Sequence, residues 1–349
     1  MRHDGDGDVV PGIECDRVTG WLADRVEITP PLRFELIEGG RSNLTYEVTD
    51  AAEKRLVLRR PPLQGVLESA HDMGREYRII SALAGSGVPV PACIGHEQDD
   101  EVTGAPFYVM EYVDGVVLRD ATAARQLSPS TRTTVGEDLI DVLVALHATD
   151  VDRVGLGDLA RREGYIERQL RRWHRQLEEA RTRELPLLDE VHDRLAATVP
   201  EQGPAGIVHG DYRLDNLIVD PDTGRIRAVL DWELTTLGEP LADLGLLLVY
   251  WAQPGDAASR LLDAPSLVEG FPGRDRLVER YAAASGRDVG DIGYFVAFGY
   301  WKLACILEGV YARTRSGAYG DDTAGADHFG QLVTEFAEHA AQAAVAAGR

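Results

Sequence analysis

Residues 206–232 read Gly-Ile-Val-His-Gly-Asp-Tyr-Arg-Leu-Asp-Asn-Leu-Ile-Val-Asp-Pro-Asp-Thr-Gly-Arg-Ile-Arg-Ala-Val-Leu-Asp-Trp. Two short apolar runs, at 217–219 and 226–230, surround a connection that contains Pro221 and Gly224. Short apolar runs joined by turn-forming residues are typical of a β-hairpin. Most of the chain after residue 115 has helical periodicity instead, so we predict a hairpin set into a helical region.

Three polar residues frame this hairpin, namely Asp211, Asn216 and Asp231. The same pattern occurs in phosphoryl-transfer sites, where an aspartate accepts a hydroxyl proton and a later asparagine and aspartate hold Mg²⁺. Oxygen ligands of this kind suit Mg²⁺. Each residue alone is also a common turn or N-cap residue, but the combination favours a catalytic loop. We expect His209 to position this loop through hydrogen bonds rather than to transfer protons.

The first third of the chain predicts strands with one helix. Residues 69–83 have helical spacing, and Ser69 and Asp72 resemble an N-terminal capping box. Two further helices are predicted at 131–147 and 164–180. The extended runs that we predict as strands are 34–37, 44–48, 55–58 and 107–113.

The composition limits the possible functions. The chain has 349 residues and a formal net charge of -22. This length exceeds what one compact core usually supports, so we expect two lobes with a cleft between them. The acidic balance argues against nucleic-acid backbones and anionic membranes, since both need clustered Lys and Arg. Three scattered cysteines, no apolar leader and no run judged long enough to span a bilayer favour a cytoplasmic protein.

The signature at residues 209–216 resembles that of the aminoglycoside phosphotransferase and choline kinase-like family, which has a protein-kinase-like fold. The stretches 58–62, 69–71 and 164–173 make the chain most similar to the kinase domains related to those fused to acyl-CoA dehydrogenases. The resemblance implies an α+β, bilobal fold. It implies a small N-terminal lobe with an antiparallel sheet and one helix at 1–113, and a larger, mainly helical C-terminal lobe with the catalytic hairpin at 114–349.

The resemblance also implies a nucleotide site. A loop between the first two strands would cover the phosphates, a cation on the third strand would pair with a glutamate of the next helix, and a hinge would bind adenine through its backbone. The family has a lysine on that third strand, whereas this chain has Arg59, and Arg is not interchangeable with Lys. The implied nucleotide-binding residues are Gly39, Gly40, Ser42, Asn43, Arg59, Glu76, Glu111 and Val113.

We therefore predict an ATP- and Mg²⁺-dependent phosphotransferase that acts on a hydroxyl of a small molecule, with Asp211 as catalytic base and Asn216 and Asp231 as metal ligands. The resemblance implies a hydroxyacyl-CoA, an aminoglycoside or a choline-like alcohol as acceptor. It implies that Asp243 braces the catalytic loop, although a helix N-cap is the alternative. Lys302 and Glu308 are further candidates for the substrate side of the cleft. A nucleotide-binding pseudokinase without turnover is the competing interpretation.

Overall fold

The computed structural model describes residues 10–37, 43–63, 72–254, 256, 263–316 and 325–348. The chain divides into two compact units. The first, here called the N-terminal unit, comprises Met1–Asp114 together with Ala228–Glu233. The second, the helical unit, comprises Gly115–Arg227 and Leu234–Arg349. The lobe boundary predicted between residues 113 and 114 stays a prediction.

The N-terminal unit contains a five-stranded antiparallel sheet in the order β1-β2-β3-β5-β4. Four of the strands agree with the predicted extended runs to within a few residues, whereas the strand at Cys93–Glu97 matches none of the ranges given. The elements of this unit are α1 (Cys15–Ala23), β1 (Arg33–Leu36), β2 (Leu44–Thr49), β3 (Arg55–Arg60), α2 (Met73–Leu83), β4 (Cys93–Glu97) and β5 (Phe107–Glu111).

The two faces of this sheet have different roles. Tyr46, Leu58 and Val109 lie side by side on adjacent strands, and all three are buried in a core with Val18 and Leu22 of α1. Successive side chains of a strand point to opposite faces. The residue after Leu58 in β3 therefore points to the opposite face of the sheet, where it meets α2.

Helix α2 begins at Met73, so the predicted start at Ser69 is wrong. The side chain of Asp72 accepts a hydrogen bond from the backbone N–H of Arg75 at 2.9 Å, which makes Asp72 the N-cap. An N-cap residue has an extended backbone, so the helix begins at the residue that follows it. Ser69 itself lies outside the described residues.

The helical unit surrounds two small sheets. Strand β6 pairs antiparallel with β9, and β7 pairs with β8 in the predicted hairpin. The last two residues of β8 belong to the N-terminal unit. The elements are α3 (Ala121–Arg125), α4 (Pro129–Ala148), α5 (Tyr165–Ala180), α6 (Pro186–Ala197), β6 (Gly206–Val208), β7 (Leu217–Val219), β8 (Ile226–Val229), β9 (Thr236–Gly238), α7 (Leu241–Tyr250), α8 (Arg274–Ser285), α9 (Ile292–Arg315) and α10 (Ala326–Ala346).

Helix α9 is the central helix of this unit. It packs against α5, α6, α7 and α10, and Trp301 and Ala304 on it have no exposed surface. Among the described residues, α9 is the helix that is long and apolar enough to cross a membrane by length and composition. No run of that length was predicted from the sequence. Because 78% of its apolar window is buried, α9 has the burial of a core helix.

Candidate active site

The loop after β6 carries Asp211 and turns sharply at Gly210. Gly210 has φ +85°, and a Cβ atom there would lie 3.0 Å from Leu234. L-residues other than glycine rarely adopt such a φ value. The turn therefore depends on glycine at this position, and it directs the chain from the buried strand β6 to Asp211.

Asp243 holds this turn through its carboxylate, in agreement with the predicted role of bracing the catalytic loop. Its carboxylate accepts hydrogen bonds from the backbone N–H of His209 at 2.6 Å and of Gly210 at 2.8 Å. Asp243 lies in the first turn of α7, whose N-cap position is occupied by Pro240, so the N-cap alternative does not hold. Burial alone would raise the pKa of Asp243, but its hydrogen bonds with His147 and with the N–H of Gly210 lower it.

Asn216 returns to Asp211 through a single 3₁₀ turn, Leu214–Asn216. The Asn216 amide nitrogen donates to the backbone oxygen of Asp211 at 2.8 Å and to its Oδ2 at 3.0 Å. These bonds orient the amide, and they leave its oxygen as the atom that suits a metal. The loop prediction for His209 also agrees with the geometry, since its Nδ1 accepts the N–H of Asp211 at 3.3 Å.

Arg213 is a site residue that sequence reasoning missed. Its Nε lies 3.3 Å from Asp211 Oδ2, and its Nη2 lies 2.8 Å from Asp215 Oδ2. The guanidinium also stacks over the Tyr250 ring at 4.8 Å. Burial raises the pKa of Asp215, against the charge of Arg213. A cation two residues after the predicted base was the available signal.

A pocket of the helical unit opens beside this cluster. It encloses about 380 Å³ of empty space, part of which is open solvent. Small-molecule sites commonly combine apolar walls with a few polar groups, and this pocket has that composition. Its apolar walls include Leu118, Leu214, Leu247 and Trp251, and its polar groups include Arg119, Arg213 and Asp215.

In the N-terminal unit, Arg59 lies among three carboxylates. Its guanidinium is 2.7 Å from Asp231 Oδ1, 3.2 Å from Glu76 Oε2 and 3.9 Å from Glu233 Oε2. Burial alone would lower the pKa of Arg59, but neighbouring groups, above all Tyr108, Glu76 and Asp231, raise it above its ordinary value. Arg59 is therefore a permanent cation in this cluster.

Glu76 is almost completely buried at the centre of this cluster. It also accepts hydrogen bonds from the Tyr108 hydroxyl at 3.0 Å and from the Asn43 amide at 3.2 Å. The predicted pairing of Arg59 with Glu76 thus exists as a contact. Asn43 lies beside the same carboxylate.

Asp231 has φ +64°. L-residues rarely adopt this backbone conformation, because it usually introduces local strain. Such residues cluster at functional sites. A 3₁₀ turn follows at once, Trp232–Leu234, and its Trp232 is buried. The buried side chain fixes the position of the strained residue before it.

The remaining predicted nucleotide residues have mixed outcomes. Gly39, Gly40 and Ser42 lie outside the described residues. Glu111 ends β5 and its backbone N–H donates to the Ala92 oxygen at 2.8 Å, which leaves its carbonyl as the group suited to adenine. Val113 follows in the connection to the helical unit and is half-buried.

The predicted metal ligands fit Mg²⁺ by their chemistry. Asn216 presents an amide oxygen, Asp231 presents a carboxylate, and both are the hard oxygen donors that Mg²⁺ prefers. Around Asp231, three carboxylates share the single guanidinium of Arg59. This excess of negative charge favours a cation. Asn216 belongs to the helical unit and Asp231 to the N-terminal unit.

Lys302, a candidate for the substrate side, contacts the catalytic loop. Its Nζ donates to the Gly210 oxygen at 2.9 Å. Glu308, two turns further along α9, has a different environment. It is completely buried and pairs with Arg183 at 2.9 Å, which makes that pair a packing contact of the helical unit.

The sequence matches known proteins over most of its length. The model of the phosphotransferase enzyme family matches residues 33–292. Acyl-CoA dehydrogenase family member 10 of Mus musculus is 34% identical over 315 residues, which cover 89% of this chain and 29% of that protein. Family member 11 of Homo sapiens is 31% identical over 315 residues, which cover 89% of this chain and 40% of that protein. The chain thus spans only a minor part of these relatives.

Solved structures match as well. A candidate aminoglycoside phosphotransferase from Ralstonia eutropha has 32% identity and a TM-score of 0.78, over 94% of this chain and 98% of that one. Choline kinase from Cryptosporidium parvum has a TM-score of 0.64 over 94% of each chain, and at 14% identity this likeness concerns the fold alone. The predicted resemblance and the predicted α+β, protein-kinase-like fold are confirmed.

Proposed function

Because the chain belongs to the phosphotransferase enzyme family and shares its fold with solved phosphotransferases, we propose that it transfers the γ-phosphoryl group of ATP to a hydroxyl of a small molecule. The observation that carries this proposal is the pairing of Asp211 with Asn216 on a braced turn. A solved relative with 16% identity, the aminoglycoside phosphotransferase APH(4)-Ia, binds AMP-PNP and hygromycin B. Nucleotide binding by this chain follows as part of the proposal.

Asp211 is the proposed base. Its carboxylate accepts the proton of the acceptor hydroxyl as the oxygen attacks the γ-phosphorus, and the bond from that phosphorus to the β–γ bridging oxygen breaks. The Asn216 amide keeps the carboxylate oriented. Arg213, whose Nε lies 3.3 Å from the same carboxylate, also restricts its orientation.

Asn216 and Asp231 would hold Mg²⁺, and Arg59, paired with Glu76, would hold the nucleotide phosphates. When bound, Mg²⁺ neutralises charge on the transferred phosphoryl group. The proposed phosphate site also includes Gly39, Gly40, Ser42 and Asn43. The proposed adenine site is formed by the backbone of Glu111 and Val113.

For the acceptor, we favour a hydroxyacyl-CoA. The support is that the curated relatives are acyl-CoA dehydrogenase family members. The apolar walls of the pocket beside Asp211 suit an acyl chain, whereas Arg119 and Arg213 in its lining suit anionic groups. Aminoglycosides and choline-like alcohols are the acceptors of the structural neighbours by name, and they are the alternatives.

The test measures Mg²⁺-dependent transfer of γ-phosphate from ATP to hydroxyacyl-CoAs, aminoglycosides and amino alcohols. Asp211→Ala should lower kcat by about 10²–10⁴-fold, since it removes the general base, and should leave ATP affinity nearly intact. Asp222→Ala is the matched control, because Asp222 is an exposed aspartate of the hairpin turn. Lost ATP binding with residual turnover in the Asp211 variant would contradict the assignment.

A pseudokinase is the second candidate, since Arg59 stands where the family has lysine. It predicts ATP binding without transfer or hydrolysis in the presence of Mg²⁺. If the arginine is what prevents transfer, Arg59→Lys should restore measurable turnover. Slow ATP hydrolysis by the wild-type chain, lost in Asp211→Ala, rules out the pseudokinase.

A further inference from the structure

Lys302 is a buried amine of the helical unit next to the catalytic loop. It is 6% exposed, its Nζ donates to the Gly210 oxygen at 2.9 Å, and it lies 5.4 Å from the centre of the Trp173 ring. Burial lowers the pKa of Lys302, against the charges of Asp211 and Asp243, which raise it. Burying an amine is costly unless it is paired. An apolar residue would fill this position of α9 at lower cost if packing were the only requirement.

The hydrogen bond from Lys302 falls on the peptide group that joins Gly210 to Asp211. The N–H of Gly210 is held by Asp243 at 2.8 Å, and its carbonyl is held by Lys302. Gly210 is thus fixed at both ends while it keeps φ +85°. Rotation of the peptide after it would change the direction in which the Asp211 side chain leaves the backbone.

We infer that Lys302 is a positioning residue, which fixes the peptide preceding Asp211 and so sets the direction of that carboxylate. Asp243 accepts hydrogen bonds from two N–H groups of the loop, whereas Lys302 donates to the Gly210 carbonyl. Lys302 acts through Gly210. The catalytic consequence rests on the proposed function, but the effect on the loop does not.

Lys302→Met tests this role because it keeps much of the side-chain length and removes the donor. A displacement of the base by about 1 Å can cost about 100-fold in rate, so we expect kcat to fall by about that factor. The KM for ATP should change by less than about twofold, since the nucleotide contacts are untouched. Lys302→Arg keeps a donor and should recover part of kcat.

Glu308→Gln is the matched control for stability. Glu308 is a buried, ion-paired residue of the same helix, but its partner Arg183 also donates to the Gly330 oxygen of α10. Loss of this charge should lower the melting temperature while kcat stays near that of the wild type. If both variants lose kcat in proportion to their lost stability, Lys302 has only a structural role and the inference is overturned.

Amide hydrogen exchange gives a readout that needs no activity. In Lys302→Met, exchange at the N–H groups of His209, Gly210 and Asp211 should be at least about tenfold faster, because opening of the loop becomes easier. Exchange in β7 should stay as in the wild type. If the wild-type chain transfers phosphate to no acceptor, the proposed function fails, and this exchange still decides the role of Lys302. Unchanged exchange at the loop overturns it.

Discussion

Arg59 differs from a lysine in how many partners it can hold. A guanidinium carries five N–H donors in a planar fork, whereas an ammonium is a point charge. Arg59 forms an ion pair with Glu76, with its Nε 3.2 Å from Oε2, and its Nη2 donates a hydrogen bond to Asp231 Oδ1 at 2.7 Å. One side chain thereby connects α2 to the strained residue Asp231. A lysine could neutralise one of these carboxylates but would not span both in the same way.

Arg59→Met should therefore weaken both stability and nucleotide binding. Removing one partner of a buried ion pair costs about 3–5 kcal/mol, since the other charge stays buried, and Glu76 is 2% exposed. We expect the affinity for Mg²⁺-ATP to fall by about tenfold or more, which corresponds to about 1.4 kcal/mol. Isothermal titration calorimetry and urea unfolding measure the two effects. Arg59→Lys is the matched variant, and wild-type affinity in Arg59→Met would exclude a phosphate contact.

His147 gives the helical unit a sensitivity to mild acid. A neutral imidazole satisfies both of its neighbours, since Nε2 can donate to Asp243 at 3.3 Å while Nδ1 accepts the Tyr281 hydroxyl at 2.8 Å. Burial lowers the pKa of His147 below its ordinary value of 6.5. The unfolded chain thus binds a proton at a pH where the folded chain does not. Stability should fall as the pH decreases below about 6.5.

His147→Gln should flatten this dependence. The variant should be less stable than the wild type at neutral pH, but its melting temperature should fall less between neutral pH and about pH 5. Asp243, whose pKa is lowered from 3.8, loses its contribution only at lower pH, so the two effects separate. His96→Gln is the comparison, because His96 is only half-buried although its pKa is also lowered. An unchanged slope in His147→Gln would refute the assignment.

Residue-level prediction from sequence worked where the partners are close in the chain. Asp211 and Asn216 are five residues apart, and one 3₁₀ turn suffices to join them. The contact of Lys302 with Gly210 spans 92 residues, and periodicity marks Lys302 only as a member of a helix. Arg213 was missed for a different reason. Its position two residues after Asp211 is visible in the sequence, but whether its side chain points toward Asp211 depends on the backbone conformation.

At the scale of the element, α2 presents Glu76 from its first turn. The helix starts where the Asp72 carboxylate caps the N–H of Arg75, and Glu76 is the fourth helical residue. The register of the cap therefore sets where Glu76 meets Arg59. Fraying of this first turn would move a buried carboxylate.

Asp72→Ala should cost about 1 kcal/mol of stability, the usual loss for an N-cap, and should also reduce the affinity for Mg²⁺-ATP. Ser128→Ala is the matched control, since Ser128 caps α4 of the helical unit through the N–H of Thr131 at 3.1 Å. That variant should lose similar stability with unchanged affinity. Equal effects of both variants on ATP affinity would show that the α2 cap has no special role.

Element types were predictable, whereas some ends and environments were not. The hairpin followed from apolar runs around Pro221 and Gly224, and β7 and β8 confirm it. The start of α2 was placed too early, because Ser69 and Asp72 are both capping residues and sequence alone does not choose between them. The membrane-length character of α9 was overlooked, because Lys302 and Glu308 interrupt its apolar surface and only packing shows that both are buried.

At the scale of the whole molecule, the predicted site residues divide between the two units of the chain. Asp211 and Asn216 belong to the helical unit, and Arg59, Glu76 and Asp231 belong to the N-terminal unit. The fold class was predictable from the signature at 209–216 because that signature is specific. The loop with Gly39 and Gly40 stays a prediction.

The N-terminal unit is discontinuous in sequence, and this affects the order in which it can form during synthesis. Ala228–Glu233 belongs to it, with Val229 bonded to Pro89 at 2.8 Å and Asp231 bonded to Arg59 at 2.7 Å. A ribosome that has released only the first 114 residues has not yet made this segment. Until it is translated, Arg59 lacks Asp231, the partner that follows β8. A nascent chain therefore completes its first unit only after more than a hundred further residues have emerged.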